Sequence, residues 1–210
     1  MFIELVDALR CPAAHEESWL VASADRMESR HIVEGVLGCP VCSRQFPVRS
    51  GVVDFRTSDG NALSASPQPD AASATRLAAF MNLTDAQGFA LLIGSRGAHA
   101  ELLMQLVETP LILVDPPANI SGQPGISVIR TDGEALPLAR GAARSTAIDA
   151  ASPRRAHAAA DATRVMGRIV APAELALPMG VRELARDEVD WVGERESSAT
   201  APIALHVRRS

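Results

Sequence analysis

The stretch Phe89-Ala90-Leu91-Leu92-Ile93-Gly94-Ser95-Arg96-Gly97-Ala98 decides how the chain folds. An unbroken apolar run of this length has no wet face, so it reads as a strand covered on both sides. The glycines after it supply a turn, and Ala98 to Val107 predicts a helix. A second apolar run, Leu111-Ile112-Leu113-Val114, stops at Asp115 and the prolines Pro116 and Pro117, which cannot continue a central strand. This is a β-α-β unit. The rhythm returns downstream, where Ile126-Ser127-Val128-Ile129 ends near Asp132 and Ser145-Thr146-Ala147-Ile148 ends at Asp149. Arg168-Ile169-Val170-Ala171 then follows an alanine-rich helical stretch. The expected fold class is α/β, a Rossmann-like, doubly wound and mostly parallel sheet.

Upstream, Asp70 predicts the cap of a helix running through Thr75 to Met81. Towards the other end, Val181 to Ala185 and Ile203 to Val207 alternate in polarity, which predicts an antiparallel C-terminal edge to the sheet. Between Arg56 and Ala72 the composition turns to serine, proline, aspartate and glycine without periodicity. The chain therefore divides into a small β-rich unit over 1–56, a linker over 57–72 and the Rossmann-like domain over 73–210. No repeat of solenoid length is present.

Composition removes several chemistries. All 20 basic residues among the 210 are arginine, so no mechanism that needs a lysine is available, whether phosphate binding, Schiff base or general base. Tyrosine is absent and aromatics make up 3%, which leaves few platforms for stacking single-stranded bases. A net charge of −5 argues against broad duplex binding. Glu4 and Asp7 stand where a secretory signal would be basic, and no apolar run reaches the roughly 18 residues of a membrane span. The expectation is a cytoplasmic protein with no membrane segment. Three cysteines in that compartment point to metal or simple burial rather than to a disulfide framework.

All three cysteines precede the linker. Cys39-Pro40-Val41-Cys42 spaces two thiolates to meet one tetrahedral ion, and Cys11 with His15 can complete a Cys3His set. Three thiolates and an imidazole suit a closed structural Zn2+ site, with no open position for a catalytic water. His31 and Glu16 are the rival fourth ligands, although His31 sits in an alternating run that reads as strand.

Residues Leu5 to Phe55 resemble the Trm112-type zinc ribbon. The resemblance rests on a short helix leading into Cys11-Pro12, on Gly38-Cys39-Pro40-Val41-Cys42, and on Phe46-Pro47-Val48-Arg49-Ser50-Gly51-Val52-Val53-Asp54-Phe55. Such ribbons usually carry a second cysteine where this chain has Ala14, so the role of His15 follows from donor chemistry alone. Members of that family bind, or are fused to, methyltransferases, which implies a protein partner or a fused one.

In the Rossmann-like domain, Gly94, Ser95 and Gly97 lie between a strand and a helix start, where backbone N–H groups favour an anionic or carboxylate-bearing ligand. Asp115, at the end of the next strand, is placed to accept hydrogen bonds from ribose hydroxyls. From about Thr75 to Arg208 the pattern resembles a class I S-adenosylmethionine-dependent methyltransferase. That resemblance implies S-adenosylmethionine as cofactor, with the loop of Gly94, Ser95 and Gly97 at its methionine moiety and Asp115 at the ribose. It further implies Asp132 near the adenine and Asp149 at the mouth of the substrate pocket. Three positions depart from the pattern: Leu92 stands for an acid, Arg96 for the middle glycine and Ala98 for the third.

These departures and the short chain predict an impaired cofactor site and a binding, scaffolding or regulatory role. The alternative is an active methyltransferase of unnamed acceptor that tolerates the altered loop, with Asp115 on the ribose, Asp132 near the adenine and the zinc ribbon contacting a substrate or partner. Separately, a homo-oligomer would let a second subunit supply the missing lid. A further alternative makes the ribbon an RNA adaptor through Arg26, Arg30, Arg44, Arg49 and Arg56.

Overall fold

The computed structural model describes residues 1–57, 69–133, 135–149 and 152–197. After a 3-10 segment over Ile3–Ala8, the chain forms an antiparallel meander of β1 (Val21–Glu28), β2 (His31–Gly38), β3 (Gln45–Arg49) and β4 (Val52–Asp54). Helix α1 (Ala71–Phe80) leads to β5 (Ala90–Ile93), a 3-10 segment over Gly94–His99 and α2 (Ala100–Leu106). Then come β6 (Leu111–Val114), β7 (Ile126–Arg130), β8 (Ser145–Ile148), α3 (Pro153–Ala162), β9 (Arg168–Pro172), β10 (Val181–Arg186) and β11 (Asp190–Arg195).

Among the described residues the strands form one 11-stranded sheet in the order β1-β2-β3-β4-β7-β6-β5-β8-β9-β11-β10. Neighbours from β4 across to β9 are parallel, while β9, β11 and β10 run alternately. The mixed α/β, mostly parallel architecture expected from the apolar runs is therefore present. Its cause is visible in the burial of β5, β6 and β8, every residue of which is covered. Leu91, Ile93, Ile112 and Val114 pack on one face with Ala156 and Ala159 of α3. Ala90, Leu92, Leu111 and Leu113 pack on the other with Leu77 of α1 and Leu103 of α2. Successive side chains point to opposite faces, so a strand that is apolar throughout needs helices on both.

The N-terminal meander continues this sheet. Val53 of β4 lies in register with Ile129 of β7, and the Phe55 N–H donates to the Arg130 carbonyl at 2.9 Å. The Phe2 N–H donates to Ser127 Oγ at 2.8 Å, and Arg10 N–H to the Pro137 carbonyl at 3.0 Å. Leu5, Leu9, Phe46, Val53 and Phe55 share one apolar cluster with Leu91 and Ile112. The rings of Phe46 and Phe55, 4.7 Å apart and tilted, contribute about 1 kcal/mol beyond their burial.

Two expectations are corrected. The helix placed at Ala98 begins at Ala100, because Gly94 to His99 tighten into the 3-10 segment first. The antiparallel edge uses Val181–Arg186 and Asp190–Arg195; the run at 203–207 lies outside the described residues. The acidic stretch before Trp191 disguised β11. Its Asp190 is buried with arginine partners, and Trp191 is fully buried with its indole N–H donating to the Leu175 carbonyl at 2.7 Å.

Candidate functional site

The fold brings the cysteines together beside the turn that joins β2 to β3. A turn carries Cys11 and His15, and the tight knuckle after β2 carries Cys39 and Cys42; the four donor atoms lie within 4.8 Å of one another. His15 Nε2 stands 3.3 Å from Cys11 Sγ and 3.5 Å from Cys39 Sγ, and Cys11 Sγ stands 3.8 Å from Cys42 Sγ. A tetrahedron with Zn–S bonds of about 2.3 Å and a Zn–N bond of about 2.1 Å has edges of about 3.8 Å between sulfurs and about 3.6 Å from sulfur to nitrogen. The donor set therefore fits Zn2+. The sulfurs are far beyond the ~2.05 Å of a disulfide.

The histidine ring is oriented by its neighbour in the chain. Nδ1 meets the Glu16 carbonyl at 2.5 Å, which leaves Nε2 to face the thiols. That contact, with smaller help from Cys42, raises the His15 pKa. Burial works against ionisation of Cys39, but the backbone N–H groups of Cys42 and Val41 outweigh it and bring that thiol down to about 6. Burial pushes Cys11 up to about 11. The rival ligands are elsewhere: His31 Nδ1 bonds the Ser29 carbonyl at 3.0 Å, and Glu16 enters through its backbone oxygen.

The second group of candidates lies at the carboxyl ends of β5, β6, β7 and β8. Gly94, Ser95 and Gly97 follow β5 directly. Gly94 has φ +65°, and a Cβ there would collide with the Asp149 carboxylate. Asp149 Oδ2 accepts the Ser95 N–H at 2.7 Å, so this acid turns back onto the loop. A Cβ on Gly97 would come within 2.6 Å of Pro116 Cβ, which shows how closely the loop packs on the end of β6. The Arg96 guanidinium donates to the Ile148 carbonyl at 3.2 Å and to Asp190.

Asp115, with φ +49°, accepts the Thr131 N–H at 2.7 Å and the Thr131 hydroxyl at 2.6 Å. Its Oδ2 also receives Arg155 Nη2 at 2.6 Å, while Arg155 Nη1 donates to the Gly133 carbonyl at 2.6 Å. Asp132 points elsewhere: the Thr57 hydroxyl donates to it at 2.6 Å and the Thr57 N–H adds a second bond. These bonds, the hydroxyl first, hold its carboxyl below the ordinary aspartate range. The structure thus gathers Gly94, Ser95 and Asp149 into one contact set, packs Gly97 on Pro116 beside Asp115, and ties Asp132 to Thr57.

No protein-family model and no curated protein matches the chain. Solved structures with a similar arrangement are methyltransferases. Geranyl diphosphate C-methyltransferase from Streptomyces coelicolor A3(2) is 14% identical, with a TM-score of 0.39 over 48% of this chain and 42% of that one. A protein from Methanococcus maripaludis assigned as an S-adenosylmethionine-dependent methyltransferase is 8% identical, with a TM-score of 0.47 over 63% of this chain and 87% of that one. A chain from the complex of the Haloferax volcanii Trm112 methyltransferase activator with its assigned methyltransferase is 11% identical, with a TM-score of 0.37 over 47% of this chain and 50% of that one. The chain spans about half the length of the first structures it matches.

Sequence reasoning missed Arg155 and Asp190. Arg155 follows the Ser152-Pro153 helix start, and nothing in its local pattern tells that the helix faces the end of β6. Asp190 falls in an acidic segment whose pattern gives no sign of burial. Of the arginines singled out for RNA, Arg26 pairs with Glu28 and Glu34, Arg30 with Glu4, and Arg56 with Asp54, so acids offset much of that face. No helix among the described residues is long and apolar enough to cross a membrane.

Proposed function

We propose that this chain is a methyltransferase-like protein whose cofactor loop is occupied by its own side chains, and that it serves as a binding or scaffolding protein built around a structural zinc ribbon. One observation carries the reading: the Ser95 N–H of the glycine loop is already taken by Asp149. Arg96 adds to this, since it stands where the resembled family has a glycine and is bound to the buried Asp190. A ligand entering the loop would have to displace an acid that an amide already holds. Methyl transfer requires donor and acceptor held in line, so a loop that cannot seat the donor forfeits most of the rate.

Residues 1–56 and 73–210 act in this reading as two units of one body, joined through 57–72. Cys11, His15, Cys39 and Cys42 would hold Zn2+, which would tie the Cys11–His15 turn to the Cys39–Cys42 knuckle without exposing a catalytic position. Reduced thiols suit a cytoplasmic location.

Calorimetric titration of S-adenosylmethionine and S-adenosylhomocysteine into zinc-loaded protein tests the proposal. No heat and no thermal shift at millimolar ligand is the expected outcome. Micromolar binding that Asp115→Ala weakens would overturn it and restore the active methyltransferase.

A further inference from the structure

We propose that Arg155 is the specificity-determining residue of the nucleoside position, an internal occupant that imitates the paired hydroxyls of a ribose. The inference rests on the reading above and deepens it from an altered loop to a filled subsite. The guanidinium reaches from α3 across the ends of β7 and β6. It places one N–H on Asp115 Oδ2 and another on the Gly133 carbonyl, both at 2.6 Å. A vicinal diol offers the same thing, two donors a short distance apart, to the same two acceptors. The planar fork of arginine presents its donors in fixed geometry, so it loses little freedom in bridging a carboxylate and a carbonyl.

The contact is sheltered: the side chains of Arg155 and Asp115 are 16% and 22% exposed. Thr131 braces the acid from the other side through its N–H and hydroxyl. With Thr131 and Arg155 together, Asp115 Oδ2 accepts two hydrogen bonds and Oδ1 one. A diol could therefore be received properly only after the guanidinium leaves. The Arg155 stem is anchored at a helix start, where its own N–H donates to Ser152 Oγ at 3.2 Å. The side chain can be removed without removing the cap that starts α3.

The test is titration of S-adenosylhomocysteine, adenosine and 2′,3′-dideoxyadenosine into the zinc-loaded full chain, as wild type, Arg155→Met and Arg155→Gln, with folding checked by circular dichroism. The expected result is at least tenfold tighter binding of adenosine to Arg155→Met than to wild type, with S-adenosylhomocysteine, whose amino-acid part still meets the occupied loop, gaining less. The dideoxy compound should gain nothing, and Asp115→Asn in the same background should abolish the gain. Should Arg155→Met not fold, Arg155→Gln carries the same expectation. Folded variants that bind no better than a non-binding wild type would overturn the inference while leaving the proposed function standing. A wild type that binds as tightly as the variants would overturn both.

Discussion

Asp190 illustrates what a single residue does in this chain. Its carboxylate is fully buried and receives Arg96 from the glycine loop and Arg76 of α1, the latter at 2.5 Å. Removing the carboxylate leaves Arg96 charged and sheltered without its acid, while Arg76, more exposed, keeps Asp187. Asp190→Ala should cost about 3–5 kcal/mol in urea unfolding, and Asp190→Asn clearly less. At the metal candidates the expectation concerns stoichiometry. Wild type should carry one zinc per chain, and His15→Ala should bind it more weakly in competition with a chromophoric chelator. Unchanged affinity would move the fourth ligand away from His15. Cysteine spacing made the thiols legible in the sequence, because C-x2-C geometry is local. Arg155 and Asp190 were not legible, because the partners of the Arg155 guanidinium are 22 and 40 positions away and those of the Asp190 carboxylate 94 and 114, and only the fold brings them together.

Elements were easier to read where their reasons are local. α1 starts at Asp70, whose carboxylate accepts the Ser73 N–H at 2.7 Å, and α3 starts at Ser152 with proline in its first turn. Ser152→Ala should lower stability by about 1 kcal/mol, measured by thermal or urea unfolding. The turn between β10 and β11 is fastened by Asp187, which accepts the N–H groups of Asp190 and Val189, each at 2.8 Å, and the Arg76 guanidinium at 2.6 Å. These contacts, the Asp190 amide foremost, hold its carboxyl at about 2, below the ordinary 3.8. Because the folded value is the lower one, the stabilisation is fully present above pH ~4 and is lost as the pH falls towards 2. Asp187→Asn should therefore flatten the decline of melting temperature over that interval, as followed by circular dichroism. β11 escaped notice because acids precede it; its place between β9 and β10 is a tertiary fact that alternation cannot encode.

At the scale of the whole molecule, the parallel register of β4 on β7 and the shared apolar cluster unite the meander and the Rossmann-like domain in a single packed body. Unfolding should then give a single calorimetric transition, with van't Hoff and calorimetric enthalpies in agreement. Chelating the zinc should lower its midpoint rather than split it. Two resolved transitions would contradict that coupling. The architecture was legible because four fully covered runs leave little freedom, whereas the join was not: nothing in Val52 to Phe55 specifies which strand it will lie beside. Among the described residues the outermost strands of the sheet are β1 and β10. Both break register along their length, and they carry Arg26, Glu28, Arg182, Glu183 and Arg186. Irregular, charged borders of this kind resist strand addition. Both margins are thereby poor templates for lateral growth into fibres.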